Sequence, residues 1–412
     1  NFAGSGNSAV LFGLYDQNRK NNFGFGGEYI RRNIGGSFVD GKIGYQNFHK
    51  SKPGFKNENN YYLNLSKPLV NRYMNWTYEW NSSFSSTRNL YVSDSLYKSD
   101  FRFSYAGFDA WAGHNFDSRL FTEEEEKHEL RRLVGMRFIH NQYFKKPGIY
   151  QKESNWRYAD LFAILGTATL YRQNFYKMRY IYGFGRNEDI PEGLMMSMTS
   201  GFTIKENKSR PFLGFNYERY RFNKRNNYIG YTIRAEGFLF KKSIEDINLL
   251  LSVNYFDNLK PMGSRWKQRF FLNLDVAQQI NTDLNEPLLI RSKFGLPEFR
   301  NGDIGGSMRS TAKIESVFFS PWSVIAFRFA PFIFSNVSVF TPYKHTTKIY
   351  PSVGGGIRTR NESLVFGTIE LKGYYFPKKN FFNEHFNLDI STNVIFKYNK
   401  QFLKKPNFIE IN

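Results

Sequence analysis

The sequence predicts an all-β chain: a transmembrane antiparallel β-barrel of 16 to 18 strands with an inward-folded loop. Three observations carry this. Aromatic residues make up 19% of the 412 residues, with 44 Phe and 27 Tyr, yet hydrophobic residues in total reach only 41%. That balance suits a sheet with one apolar and one wet face rather than a large conventional core. Apolar and polar residues also alternate with period two in stretch after stretch. Finally, no run of about 18 apolar residues occurs, which excludes a helical span. The longest greasy stretch, 324–334, is broken by Arg328.

Taken in order, strands are expected near 8–16, 21–31, 37–49, 58–67, 72–86, 97–116, 128–145, 156–178, 192–205 and 210–222. They continue near 228–241, 244–257, 264–280, 308–320, 323–336, 350–360, 363–376 and 386–399, eighteen in all. The first carries Val10, Phe12 and Leu14 in alternation, with Gly13 inside it. Trp76, Tyr78, Trp80 and Phe84 fall on one face of the fifth, opposite Thr77, Glu79 and Asn81. Ile229, Tyr231, Ile233 and Ala235 oppose Thr232, Arg234 and Glu236. In the last, Phe386, Leu388, Ile390, Val394 and Phe396 oppose Asn387, Asp389, Ser391 and Asn393. Full charges and amides on the wet face, with aromatics crowding strand ends, favour a membrane barrel over a soluble sandwich. Closure of an even-stranded barrel removes the edges that would template aggregation. Short connectors (205–210, 222–227) and longer charged ones (49–60, 86–96, 116–128, 184–192) are expected on opposite sides. Residues 1–412 read as one domain, with a lumen loop at about 290–307.

The formal net charge is +21. Nucleic-acid binding needs a basic patch or a known module, and here Lys and Arg are scattered through loops and alternating strand positions. A basic rim against outer-membrane lipids and lipopolysaccharide is the expected use. With no cysteine, disulfides and thiolate metal sites are absent. No secretory leader pattern opens the chain at Asn1, so any leader and any soluble modules are expected before residue 1.

Chemistry-bearing constellations are few. The six histidines include no pair at ligand spacing, and Glu123–Glu126 reads as a solvated loop. The stretch 180–193 reads as a hairpin tip held by Arg186 to a carboxylate. No catalysis, metal or cofactor is expected. The best candidate is 295–321, GLPEFRNGDIGGSMRSTAKIESVFFSP. Arg300 sits in its turn-rich half beside Phe299, and Glu315 lies nine residues past Gly306 in its strand-like half.

Those residues resemble the barrel domain of the outer-membrane superfamily of β-barrel assembly insertases, surface antigens and two-partner-secretion translocators. That family, of sixteen strands, folds a loop with an Arg-Gly-Phe/Tyr tip into its lumen. The matching tip is Phe299, Arg300, Asn301 and Gly302, with the Arg kept. Paired glycines and an inward Glu nine residues later match Gly305, Gly306 and Glu315. The Phe-x-Asp-x-Gly of the next strand is Phe334-Ser335-Asn336-Val337-Ser338 here, so Asn replaces Asp and the Gly is lost. Gly354–Gly356 resembles the glycine-rich start of a late strand. The resemblance implies that Arg300 clamps Glu315 and Asn336, pinning the loop to the wall. It also implies work by opening the seam between first and last strands, so that a client strand pairs with the exposed edge. Client outer-membrane proteins and other subunits of an outer-membrane complex are the implied partners, in the bacterial outer membrane. The alternative is a passive channel or a structural subunit.

Overall fold

A computed structural model of the chain describes residues 6–15, 17, 22–47, 57–68, 74–89, 92–117, 130–151, 155–181, 183–185, 187–263, 265–299, 304–361, 368–377, 385–391 and 405–412. Its strands are β1 (Asn7–Tyr15), β2 (Phe23–Arg31), β3 (Asp40–Gln46), β4 (Asn57–Lys67), β5 (Trp76–Arg88), β6 (Ser104–Asn115) and β7 (Arg131–Lys145). Next come β8 (Leu161–Met178), β9 (Glu188–Lys205), β10 (Lys208–Phe222), β11 (Tyr228–Phe240), β12 (Ser243–Phe256), β13 (Lys260–Met262) and β14 (Trp266–Ile280). The last are β15 (Leu288–Leu289), β16 (Gly305–Phe319), β17 (Ser323–Val324), β18 (Phe327–Pro342), β19 (Lys348–Asn361), β20 (Ile369–Tyr375) and β21 (Phe386–Ser391). Three of these, β13, β15 and β17, are two or three residues long. The remaining eighteen fall on the eighteen stretches that period two marks out.

All 21 belong to one sheet, and each long strand pairs antiparallel with the next long strand in the chain. The sheet curls around a lumen: inner-face residues from strands as far apart as β5, β11, β16 and β20 line one cavity of about 1090 Å³. Among the described residues no pairing joins β1 to β21.

Polarity is inverted relative to a soluble protein. On β7, Val134, Met136 and Phe138 are exposed while Arg137, between two of them, is buried. On β10 and β11, Leu213, Phe215 and Ile233 point out, whereas Arg210, Glu218, Arg234 and Glu236 are buried inside. Rings of Trp80, Phe108, Phe138 and Phe162 continue across β5 to β8 with centroids 5.9, 5.6 and 5.4 Å apart. An apolar exterior around a charged interior is stable against hydrocarbon, not water. Strands of 13 to 18 residues from β7 to β12 exceed the roughly 9–11 needed for a tilted span.

The expected sorting of turns by side does not hold. Residues 206–207 join β9 to β10, and 223–227 join β10 to β11. Successive connections of a meander leave opposite rims, so these two short turns sit at opposite ends. The longer 179–187 and 281–304 connections likewise leave opposite rims.

Candidate functional site: the filled lumen

The connection between β14 and β16, described over residues 281–299, folds into the barrel. Its apolar residues Leu288, Ile290, Phe294, Leu296 and Phe299 form a buried cluster with Phe340, Tyr350 and Phe376. A loop in contact with solvent would not bury this much apolar surface. At its start, Asp246 at the rim of β12 accepts backbone N–H bonds from Asp283 (2.7 Å) and Leu284 (3.2 Å). Near its tip, Glu298 accepts from Asn336 Nδ2 (2.9 Å) and Ser352 Oγ (2.7 Å) on the wall. Phe299, 1% exposed, stands edge-on to Tyr350 and Phe376 at 5.7 and 5.1 Å.

Arg300 and Gly302 lie outside the described residues, as do Val394, Phe396, Arg186 and Glu123–Glu126. The described partners of the expected clamp residues are other groups. Arg358 grips Glu315 with both terminal nitrogens at 2.9 Å and donates from Nε to Glu370 at 2.6 Å. Its guanidinium also covers the Phe332 ring at 4.4 Å. Asn336 meets Glu298, a loop residue to which sequence reasoning assigned no role. The 180–193 tip is held by Glu188, which accepts from the N–H groups of Ile181 (2.9 Å) and Gly183 (3.0 Å).

The expected glycines have a steric reason. A Cβ at Gly306 would come 2.5 Å from the Phe340 ring and 2.4 Å from the Thr341 carbonyl. At Gly354 and Gly356 it would strike Phe334 and Phe332, each at 2.7 Å. Both rings therefore lie across the bare backbone of β19. Of the expected seam residues, Val10, Phe12 and Leu14 share the inner face with Glu28, which is paired with Val10. Phe386, Leu388 and Ile390 point outward, 63–72% exposed.

Sequence reasoning missed the second occupant of the lumen, the strap Lys405–Asn412. Lys405 reaches Asp109 (2.7 Å) and Glu79 (3.6 Å). Phe408 packs on Phe212 and Phe238 at 5.1 and 5.9 Å. Ile411 joins the loop's apolar cluster, and Asn412 accepts from the Leu289 N–H (2.9 Å) and donates to the Pro287 carbonyl (2.8 Å). The available signal was three apolar residues, Phe408, Ile409 and Ile411, beyond the last strand with no lipid face to cover them.

No protein-family model matches the sequence, and no curated protein does. Among solved structures the chain is similar to CdiB from Escherichia coli: 8% identity over 93% of this chain and 61% of that one, TM-score 0.42. It is similar to BamA from Haemophilus ducreyi lacking POTRA domains 1–3, at 12% identity over 93% and 69%, TM-score 0.43. It is also similar to CdiB from Acinetobacter baumannii, at 11% identity over 93% and 58%, TM-score 0.42. The chain thus spans about three fifths of the length of the two CdiB chains. By its own topology and polarity, the chain is a lipid-facing antiparallel β-barrel with a lumen partly occupied by its own loop and strap.

Proposed function

We propose that this is a bacterial outer-membrane barrel that helps insert or translocate other proteins, without catalysis. The supporting observation is the contrast between the wall and its two ends. Strands β7 to β12 run 13 to 18 residues, while β1, β2, β3 and β20 run 7 to 9 and β21 has 6 described. Short ladders open at lower cost than long ones, and an opened edge accepts a client strand. The lock assigned to Phe299, Arg300, Gly302, Gly305, Gly306, Glu315 and Asn336 is part of this proposal, holding the wall in shape while the seam moves. A second reading, a structural subunit of a larger outer-membrane complex, is favoured by the loop and strap that occupy part of the lumen.

The absence of cysteine gives a clean test. Leu11→Cys combined in turn with Leu388→Cys and Ile390→Cys, joined by a bifunctional maleimide with a disulfide in its spacer, would tie the outer faces of the two end strands together. Cross-linked protein in liposomes should lose insertion of an unfolded porin and regain it on reduction. Equal insertion in both states, with the cross-link verified, would refute the seam and leave the structural reading.

A further inference from the structure

The strap is held through its main chain as well as its side chains. Arg137 is oriented by Asp109, to which it donates from Nε (2.6 Å) and Nη2 (2.8 Å). Its remaining nitrogen, Nη1, donates to the Pro406 carbonyl at 2.9 Å and to Asn407 Oδ1 at 2.7 Å. Arg234 repeats the arrangement: Nη2 goes to Glu218 (3.0 Å) and Nη1 to the Glu410 carbonyl (3.0 Å). Arg309 donates from Nη2 to the Ile411 carbonyl at 2.5 Å. Between them Glu236 accepts the Ile409 N–H at 2.6 Å. Three carbonyls and one N–H are thus read by four buried wall groups. All four are on inner strand faces, so they are set by the barrel and not by the strap.

Contacts of this kind recognise peptide backbone and tolerate many sequences. The strap's side chains are read as well. Phe408 fills the aromatic slot of Phe212 and Phe238. Asn412 contacts Pro287 and Leu289, Asn407 Oδ1 accepts from Arg137 at 2.7 Å, and Lys405 pairs with Asp109 at 2.7 Å. The strap has no regular secondary structure and adds to no ladder. Its hold is a set of separate bonds that can be exchanged one by one for those of another peptide.

We infer that the inner wall from β7 to β16 is a peptide-binding site, occupied here by the chain's own segment 405–412. Its ligand class is an unstructured peptide segment carrying one aromatic residue, and the strap is a resident competitor that such a segment displaces. This deepens the translocation reading and rests on it only for the identity of the ligand as a client.

The test uses a fluorescent peptide KPNFIEIN and the same peptide carrying Phe408→Ala, with detergent-solubilised protein. The intact chain should bind neither. The full chain carrying Phe408→Ala, and a chain with 405–412 replaced by a Gly/Ser octapeptide, should bind KPNFIEIN at least about tenfold tighter than the intact chain. The peptide carrying Phe408→Ala should bind both at least about tenfold more weakly than KPNFIEIN. Folding is checked by heat-modifiable mobility, and the point variant serves if the replacement does not fold. Equal binding of the two peptides, or no gain over the intact chain in a folded variant, overturns the inference. Because binding is read without insertion, peptide capture by a protein inactive in insertion would refute only the translocation reading. Insertion without capture would refute only the groove.

Discussion

Glu298 and Asn336 show how one residue pair can set the sign of an anchor. The loop presents the carboxylate and the wall presents the amide, 2.9 Å apart. An Asp at 336 would place two carboxylates at hydrogen-bond distance, which explains why Asn stands there. Asn336→Asp is expected to loosen the loop at a cost of about 1–3 kcal/mol. Adding Glu298→Gln should recover most of it, read by thermal melts and by protease access to 281–304. Arg358 bears more charge: it pairs with Glu315 and Glu370 together while 4% exposed. Arg358→Met would remove the guanidinium shared by buried Glu315 and half-buried Glu370, and should cost about 3–5 kcal/mol in a denaturant titration of detergent-folded protein. At the rim, Arg132 donates to Asp117 through Nε, Nη2 and its backbone N–H. These bonds hold the Asp117 carboxyl below its ordinary range. A depressed value means stability fully present above the unfolded value of about 3.9 and lost as pH falls through the lower folded one. Melting of wild type and Asp117→Asn should therefore differ at neutral pH and converge in that acidic window. A constant gap at every pH would contradict it.

At the scale of elements, β19 is the clearest test of packing. A Cβ on Gly354 would lie 2.0 Å from the Gly373 carbonyl, whereas one on Gly373 would find its nearest neighbour at 3.7 Å. Gly354→Ala should accordingly destabilise by about 1–3 kcal/mol or more, and Gly373→Ala by much less, in the same melts. The strands themselves were legible because period two is local: the sequence alone shows which residues share a face. It shows neither register nor what lies across a lumen. Glu315 could thus be recognised as an inward acid, but its grip by Arg358 depends on β16 and β19 flanking β18. The strap was illegible for a different reason. Its residues carry no period, and its partners on β7, β11 and β16 are 100 to 270 positions away.

Across the whole molecule, stability should divide in two. The wall from β8 to β19 combines long ladders with buried ion pairs and stacked rings, and the ends have shorter ladders. Amide exchange in detergent should be slowest in β8 to β12 and fastest in β1, β2 and β20. Uniform protection around the sheet would contradict a mechanically weak sector.

The alternation that writes hydrocarbon on one side and guanidinium on the other has a mechanical corollary. Sliding one stave past its neighbour by a single position would swing inward arginines such as Arg137 and Arg234 into oil and outward rings such as Phe138 and Phe215 into brine. The staves therefore cannot creep. Like a hooped cask, the cylinder can only gape where its hoop is fastened.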